Sequence, residues 1–313
     1  RFRPEQKTVQ ATAEALKAAV KERPEKFFED LTPFLAMKFI YINHLLRGFQ
    51  DAWNAKKSLN WKKMLDFIRD YLQSEYFQNT EKDTGYDMPA YRSWIIGAAA
   101  DLISSGTSDE KSIPEDIFED CECLFGRLLE RRWDKEPEKA DIQESINTSF
   151  GRVLESYINF CLLKARVYDK DKKPRGFKKE LYEKLLVGDK PETYTFLGRY
   201  LPNFMYLDKD WTISKIQAFK ELPKSEKHWK GFFQGYVWGP TVYTDLFQLM
   251  HDHYVAAIEN GHDYEQVQHQ IAEHAALVYL YDFEGQALEG NKSLIRQLLD
   301  TNDCKAWDRV LDA

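Results

Sequence analysis

The strongest constraint on this chain is a spacing. After Asn60, a residue suited to cap a helix, Trp61, Met64, Leu65, Ile68, Tyr71 and Leu72 recur at intervals of three and four. That period puts them on one face of an α-helix and leaves the charged residues on the other. It returns at Ile117, Phe118, Cys121, Leu124, Phe125 and Leu128, and again at Ile142, Ile146, Phe150, Val153, Leu154, Tyr157 and Cys161. Sustained two-residue alternation, the mark of a half-buried strand, is almost absent. Helices are predicted at 177–187, 192–200, 210–220, 225–236, 241–258, 264–281, 291–300 and 302–311, joined by short polar links. Without a sharp repeat signature, the expected fold is all-α, with antiparallel helix pairs stacked as a degenerate HEAT- or TPR-like α-solenoid.

Local signals refine this reading. TVQATAEALKAAV (8–20) is rich in alanine and helix-prone, and LTPFLAMKFIYINHLLRGFQDAW (31–53) reads as a helix so apolar that it requires neighbours on nearly every side. Residues 74–90 read as loop, and Gly106 as the C-cap of a helix over 91–106. Ser112 with Glu115, Asp141 with Glu144, and Asp263 with Gln266 have the spacing of capping boxes. Gly151 inside a helix suggests close approach of a neighbouring helix. The basic stretch 168–179 reads as a solvated link, and a subdivision into 1–167 and 177–313 around a loop at 168–176 follows from it. The predicted core includes Phe34, Ile40, Trp61, Leu65, Leu124, Phe150, Leu154, Leu246, Ile271 and Val278.

Composition excludes several functions. A net charge of −7 and a pI near 5.6 argue against nucleic-acid binding, which favours basic domains. No apolar run is long enough to span a bilayer, and no secretory signal opens the chain. Cys121, Cys123, Cys161 and Cys304 lack a disulfide or metal-site spacing, so free thiols in a reducing cytoplasm are expected. The chain starts at Arg1, which reads as a fragment of a longer protein, 1–313 forming one helical-repeat region.

Candidate chemistry is sparse. Six of seven histidines fall between 228 and 274, which raises a metal-dependent hydrolase or nuclease as an alternative. Yet His251 and His253 lie on different faces of one helix, His269 shares a face with Glu273, and His274 lies on the apolar stripe. His44 reads as a satisfied core or boundary histidine. GQALEGNKS (285–293) approaches a phosphate loop, but Asn291 displaces Lys292 and Ser293 by one residue, and the preceding ALVYLYDF continues a helical stripe. No catalytic residue, cofactor or metal is therefore expected.

Ordered segments carry a resemblance. SINTSFGRVLESYINFCL (145–162) resembles an Ala-Ile-Asn-Ser-x-x-Gly-x-x-x-Glu-Ala segment in the long helical C-terminal regions of prokaryotic antiviral defence proteins. These are STAND-type NTPases of the Avs kind and sirtuin-domain defence effectors. FLGRYLPNFMYLDKDW (196–211) is similar to their Phe-Gly-Arg-x-x-Pro-x-Leu-x-x-Leu-Asp-x-x-Trp segment, and HWKGFFQGYVW (228–238) to the helix after it. EHAALVYLYDFEG (273–285), WKKMLDFIRDYL (61–72) and SWIIGAAADLISSGT (93–107) match in order.

The resemblance implies a recognition region that binds a phage-encoded protein and relays the event to NTPase or effector domains elsewhere in the polypeptide. A non-enzymatic, cytoplasmic module without membrane or nucleic-acid partners is expected, with a structural oligomerisation arm as a further alternative. Tyr200, Tyr206, Trp238 and Tyr243 are the expected partner-binding aromatics. Pro202 should break a helix, so that Arg199 and Asp208 pair across the turn under Trp211 and act structurally.

Overall fold

The computed structural model describes residues 4–84, 89–134, 142–188, 190–223, 226–260, 267–285 and 293–301. Among these residues the secondary structure is helical, with no strand beyond two isolated bridges, Lys82 to Tyr91 and Thr107 to Ser112. No helix among them is long and apolar enough to cross a membrane. The chain divides into two compact units, Arg1–Glu136 with Asn147–Gly176, and Pro137–Ile146 with Phe177–Ala313.

In the first unit, α1 (Pro4–Glu22) packs on α3 (Phe39–Asn54), α3 on α6 (Arg92–Ser105), and α6 on α9 (Ser149–Lys170). A second set lies beside that row: α4 (Trp61–Gln73) contacts α7 (Phe118–Glu130), and α7 contacts α9. The short α2 (Pro24–Phe27) and α5 (Glu75–Asn79) join these longer helices, α5 falling in a stretch expected to be loop. Asn60 caps α4, its side chain accepting from the Lys63 N–H, and the predicted stripe from Trp61 to Leu72 is buried. Gly106 is the C-cap of α6, and the predicted stripe of α7 is buried in full.

Two sequence expectations are corrected here. The apolar run 31–53 is not one helix. A 3-10 turn, Thr32–Ala36, ends at Met37, and α3 starts only at Phe39. The cause lies far along the chain: the buried carboxylate of Asp83 accepts from the Phe39 and Ile40 N–H groups at 3.1 and 3.0 Å and from the Tyr76 hydroxyl at 2.6 Å. A carboxylate at a helix N-terminus satisfies orphan amides and favours starting the helix there. Ser112 does not cap α7 either. It bridges to Thr107, Ile113 donates its N–H to Gly106 O, and a 3-10 turn, Glu115–Ile117, intervenes.

One charged cluster ties the row together. Asp101 on α6 accepts from Arg47 of α3 at 2.6 Å and from two nitrogens of Arg152 on α9, so one carboxylate is shared by three helices. Burial holds both guanidinium pKa values below their ordinary value. Lys164 pairs with Glu122 in nearly buried surroundings.

The second unit holds α8 (Ile142–Asn147) through Ile146, α10 (Lys179–Val187), α11 (Pro191–Arg199), α12 (Leu201–Leu207) and α13 (Lys209–Lys220). It continues with α14 (Lys227–Val237), α15 (Thr244–Glu259), α16 (Gln268–Leu280) and α17 (Leu294–Asp300). Two rows again emerge: α11 contacts α14 and α14 contacts α16, while α13 contacts α15 and α15 contacts α17.

Of the ten core residues predicted from sequence, nine are buried; Phe34 is half-buried, because it lies in the 3-10 turn rather than in a helix. Cys121, Cys123 and Cys161 form no disulfide; Cys121 and Cys161 are buried, and Cys123 is exposed. Burial pushes the Cys121 thiol up to about 12, which makes it a poor nucleophile at neutral pH.

Candidate functional site

The second unit is built around α11. Every residue from Pro191 to Gly198 is buried, including the polar Glu192, Thr193 and Thr195. This requires another backbone very close by, and α14 supplies it. A Cβ at Gly198 would lie 1.9 Å from Phe232 O, and one at Gly235 would lie 2.0 Å from Thr195 O. The two glycines thus face each other's helix, and no larger residue fits at this separation. FLGRYLP and FFQGYVW, two of the segments that carry the resemblance, contribute one glycine each.

Around this crossing, buried aromatics are tethered by their polar ends. Tyr182 donates to Thr193 O at 2.9 Å, and Tyr194 to Leu186 O at 2.8 Å. Trp211 donates to Glu183 at 3.0 Å; Lys215 also pairs with that carboxylate, and with Trp211 it holds the Glu183 pKa below its ordinary value. These contacts spend the hydroxyl and indole donors inside the unit, as burial demands.

The histidines divide in the same way. Trp229 donates to His253 Nδ1 at 2.8 Å, and His253 Nε2–H donates to Ile216 O at 3.3 Å. Tyr254 donates to His274 Nδ1 at 2.5 Å, and His274 Nε2–H donates to Gly239 O at 2.6 Å. Both rings are buried, with both nitrogens committed in the neutral tautomer. Burial lowers the His274 pKa, and it raises that of Tyr254 well above the ordinary value. His251 lies near Glu284 and Asp252, His269 pairs with Glu273, and His228 stacks on Tyr194. His44 likewise bonds Ile40 O and Glu14. Among the described residues no three of His, Cys, Asp and Glu are grouped to hold a metal ion.

The turn after α11 departs from expectation. The helix does break at Tyr200, and Pro202 sits in the first turn of α12 rather than ending a helix. Asp208 does not pair with Arg199. Its Oδ1 accepts from the Trp211 N–H at 3.0 Å as the N-cap of α13, and its Oδ2 lies 3.5 Å from Lys179 Nζ. A free amide at a helix start is the nearer partner for a carboxylate that opens that helix. The Arg199 guanidinium instead stands 6.0 Å from the Tyr200 ring. Trp211 is buried against Phe177, Tyr182 and Phe204.

Of the expected partner-binding aromatics, Tyr243 is half exposed at 51%, at the N-cap of α15. Tyr200, Tyr206 and Trp238 are intermediate in burial. In the first unit, Tyr91 and Trp94 stand 6.2 Å apart and are exposed by 37% and 41%. Sequence reasoning passed over this pair, because α6 is apolar nearly all round and no polar face marks which of its residues look outward. Of the phosphate-loop near-match, 286–292 lie outside the described residues, and the segment before it is α16, a helix. The boxes that need Asp141 and Asp263, the helix expected at 302–311, and Cys304 also lie outside them.

No family model, curated protein or solved structure matches the chain.

Proposed function

We propose that this chain is the recognition region of a prokaryotic anti-phage defence protein. It binds a phage-encoded protein and passes the event to an effector elsewhere in the polypeptide. The observation that carries this reading is the row packing. In each unit, helices that alternate along the chain contact one another, α11 to α14 to α16 beside α13 to α15 to α17. That pattern fits helix pairs stacked as an α-solenoid, an architecture that offers long surfaces to a partner. The ordered segments similar to defence proteins supply the biological direction, and the Gly198–Gly235 crossing gives two of those segments a packing role.

On this reading the module works in the cytoplasm. Tyr243, which is half exposed, and the partly buried Trp238, Tyr200 and Tyr206 anchor the partner as large side chains do at interfaces. The test is affinity capture with tagged protein from phage-infected and uninfected lysates, followed by direct binding of the phage protein identified. Tyr243→Ala with Trp238→Ala should weaken that binding by about tenfold or more without lowering the melting temperature. Equal recovery of proteins from both lysates, with no phage protein enriched, overturns the proposal.

A further inference from the structure

The first unit carries a cleft of about 660 Å³ between α2, the start of α4 and the turn before α7. Its floor is apolar: Phe28, Leu59, Trp61 and Ile117, all buried. A second hollow of about 250 Å³ adjoins it, Phe28, Glu29 and Lys63 lining both, and the two make up an acidic groove. Along this groove stand Glu25, Glu29, Asp30, Asp66, Asp70 and Asp116, against only Lys62 and Lys63.

Both lysines are already engaged. Lys62 binds Asp120 at 2.8 Å and lies 3.7 Å from Asp66, and Lys63 donates to Phe28 O at 2.8 Å. Asp30 accepts from the Thr32 N–H, while Asp66 and Asp70 are shared with Arg69. Glu25, Glu29 and Asp116 are exposed and make no ion pair or hydrogen bond among the described residues. Trp61 lines the same cleft at 3% exposure, its indole packed edge-on against Trp53 beneath it.

We infer that this groove binds an extended basic peptide segment of a partner protein. Arginine or lysine side chains meet Glu25, Glu29 and Asp116, and intervening apolar residues lie on the Phe28–Leu59 floor. Charge complementarity selects this occupant: a groove whose cations are internally paired and three of whose carboxylates have no internal partner favours a cationic ligand and repels an anionic one. An apolar floor with polar walls suits a peptide better than a bare cation. The inference stands apart from the defence reading, since it needs neither a phage partner nor an effector.

The probe is a fluorescein-labelled nonapeptide of alternating arginine and alanine, titrated into the full chain by anisotropy, with the glutamate–alanine peptide and spermine alongside. Binding of the arginine peptide, weakened by added salt, is expected. The triple variant Glu25→Gln, Glu29→Gln, Asp116→Asn should lose about tenfold or more in affinity while keeping its melting temperature, since those groups have no internal partner. Ser58→Trp, which fills the cleft and leaves every charge in place, should weaken binding comparably. Neutralising Asp210, Glu221 and Glu259 of the second unit should leave it unchanged. Three results overturn the inference: equal affinity of the groove variants, equal loss from the second-unit control, or spermine binding as tightly as the peptide.

Discussion

The two units solve the same packing problem by different means. In the first, α3, α6 and α9 are joined through side chains, with Asp101 gripping Arg47 and Arg152 across three helices and apolar faces filling the remainder. In the second, α11 and α14 meet backbone to backbone at Gly198 and Gly235, and tyrosine, tryptophan and histidine donors secure the surrounding helices. Side-chain clamps are adjustable: rotamers shift, and partly exposed ion pairs are screened by water. A backbone crossing has no such slack. The second unit should therefore be the more brittle of the two to small insertions of volume, and the more tolerant of charge changes at its surface.

The largest effect that bears on this contrast is at the crossing. Gly198→Ala or Gly235→Ala should cost about 3 kcal/mol or more, because the added carbon meets carbonyl oxygens that cannot rotate away. Gly126→Ala in α7, whose Cβ would meet nothing within 4 Å, should instead be neutral or gain about 0.5–1 kcal/mol. Chemical denaturation of the three variants checks both signs. Equal small losses at all three glycines would dissolve the comparison.

Next comes Asp83, the first unit's long-range cap. Asp83→Ala leaves the Phe39 and Ile40 amides and the Tyr76 hydroxyl without their acceptor, and should cost about 2–3 kcal/mol. Hydrogen exchange should show the protection of the first turn of α3 lost before that of α6. Unchanged exchange in α3 would mean that this helix starts at Phe39 for another reason.

A smaller effect separates the units by pH. His274 is buried and its pKa is lowered from 6.5, so below that value the unfolded chain takes up a proton that the folded chain refuses. Its contribution is full above pH 6.5 and lost as the pH falls toward the depressed folded value, with a slope of at most about 1.4 kcal/mol per pH unit. Urea titrations between pH 7.5 and 5 should show this slope, and His274→Leu should flatten it while lowering stability near neutrality. An unaltered slope in the variant would remove His274 as the source.

The smallest expected change is at the turn before α13. Asp208→Ala should lower stability by about 1 kcal/mol, the ordinary worth of an N-cap, and Arg199→Ala by less than that, since the two do not meet. Thermal melts of the single and double variants check this: additive losses agree with separate roles, whereas strong coupling would restore the ion pair read from the sequence.

Local chemistry was legible wherever the determinant lay within a few residues. Asn60 opening α4, Gly106 closing α6, the buried stripe of α7 and the break at Tyr200 follow from side chains that act on their own turn of backbone. The candidate surface was less legible. The residue types in 196–258 announced an aromatic-rich region, yet Trp211, Trp229 and Tyr254 are buried while Tyr243 faces out. An aromatic side chain suits a core and an interface equally well, so its identity does not reveal its direction.

The sequence by itself determined that the chain is helical, where most helices lie, and which faces are apolar, because a 3.6-residue period and end-capping groups act through neighbouring residues. Only the tertiary structure decided which groups meet across tens of positions. It set Asp83 on the start of α3, brought Lys179 to Asp208, set Gly198 and Gly235 each against the other's helix, and gathered Glu25, Glu29 and Asp116 around one groove. Each of these depends on how helices pack in three dimensions, and no local spacing encodes that.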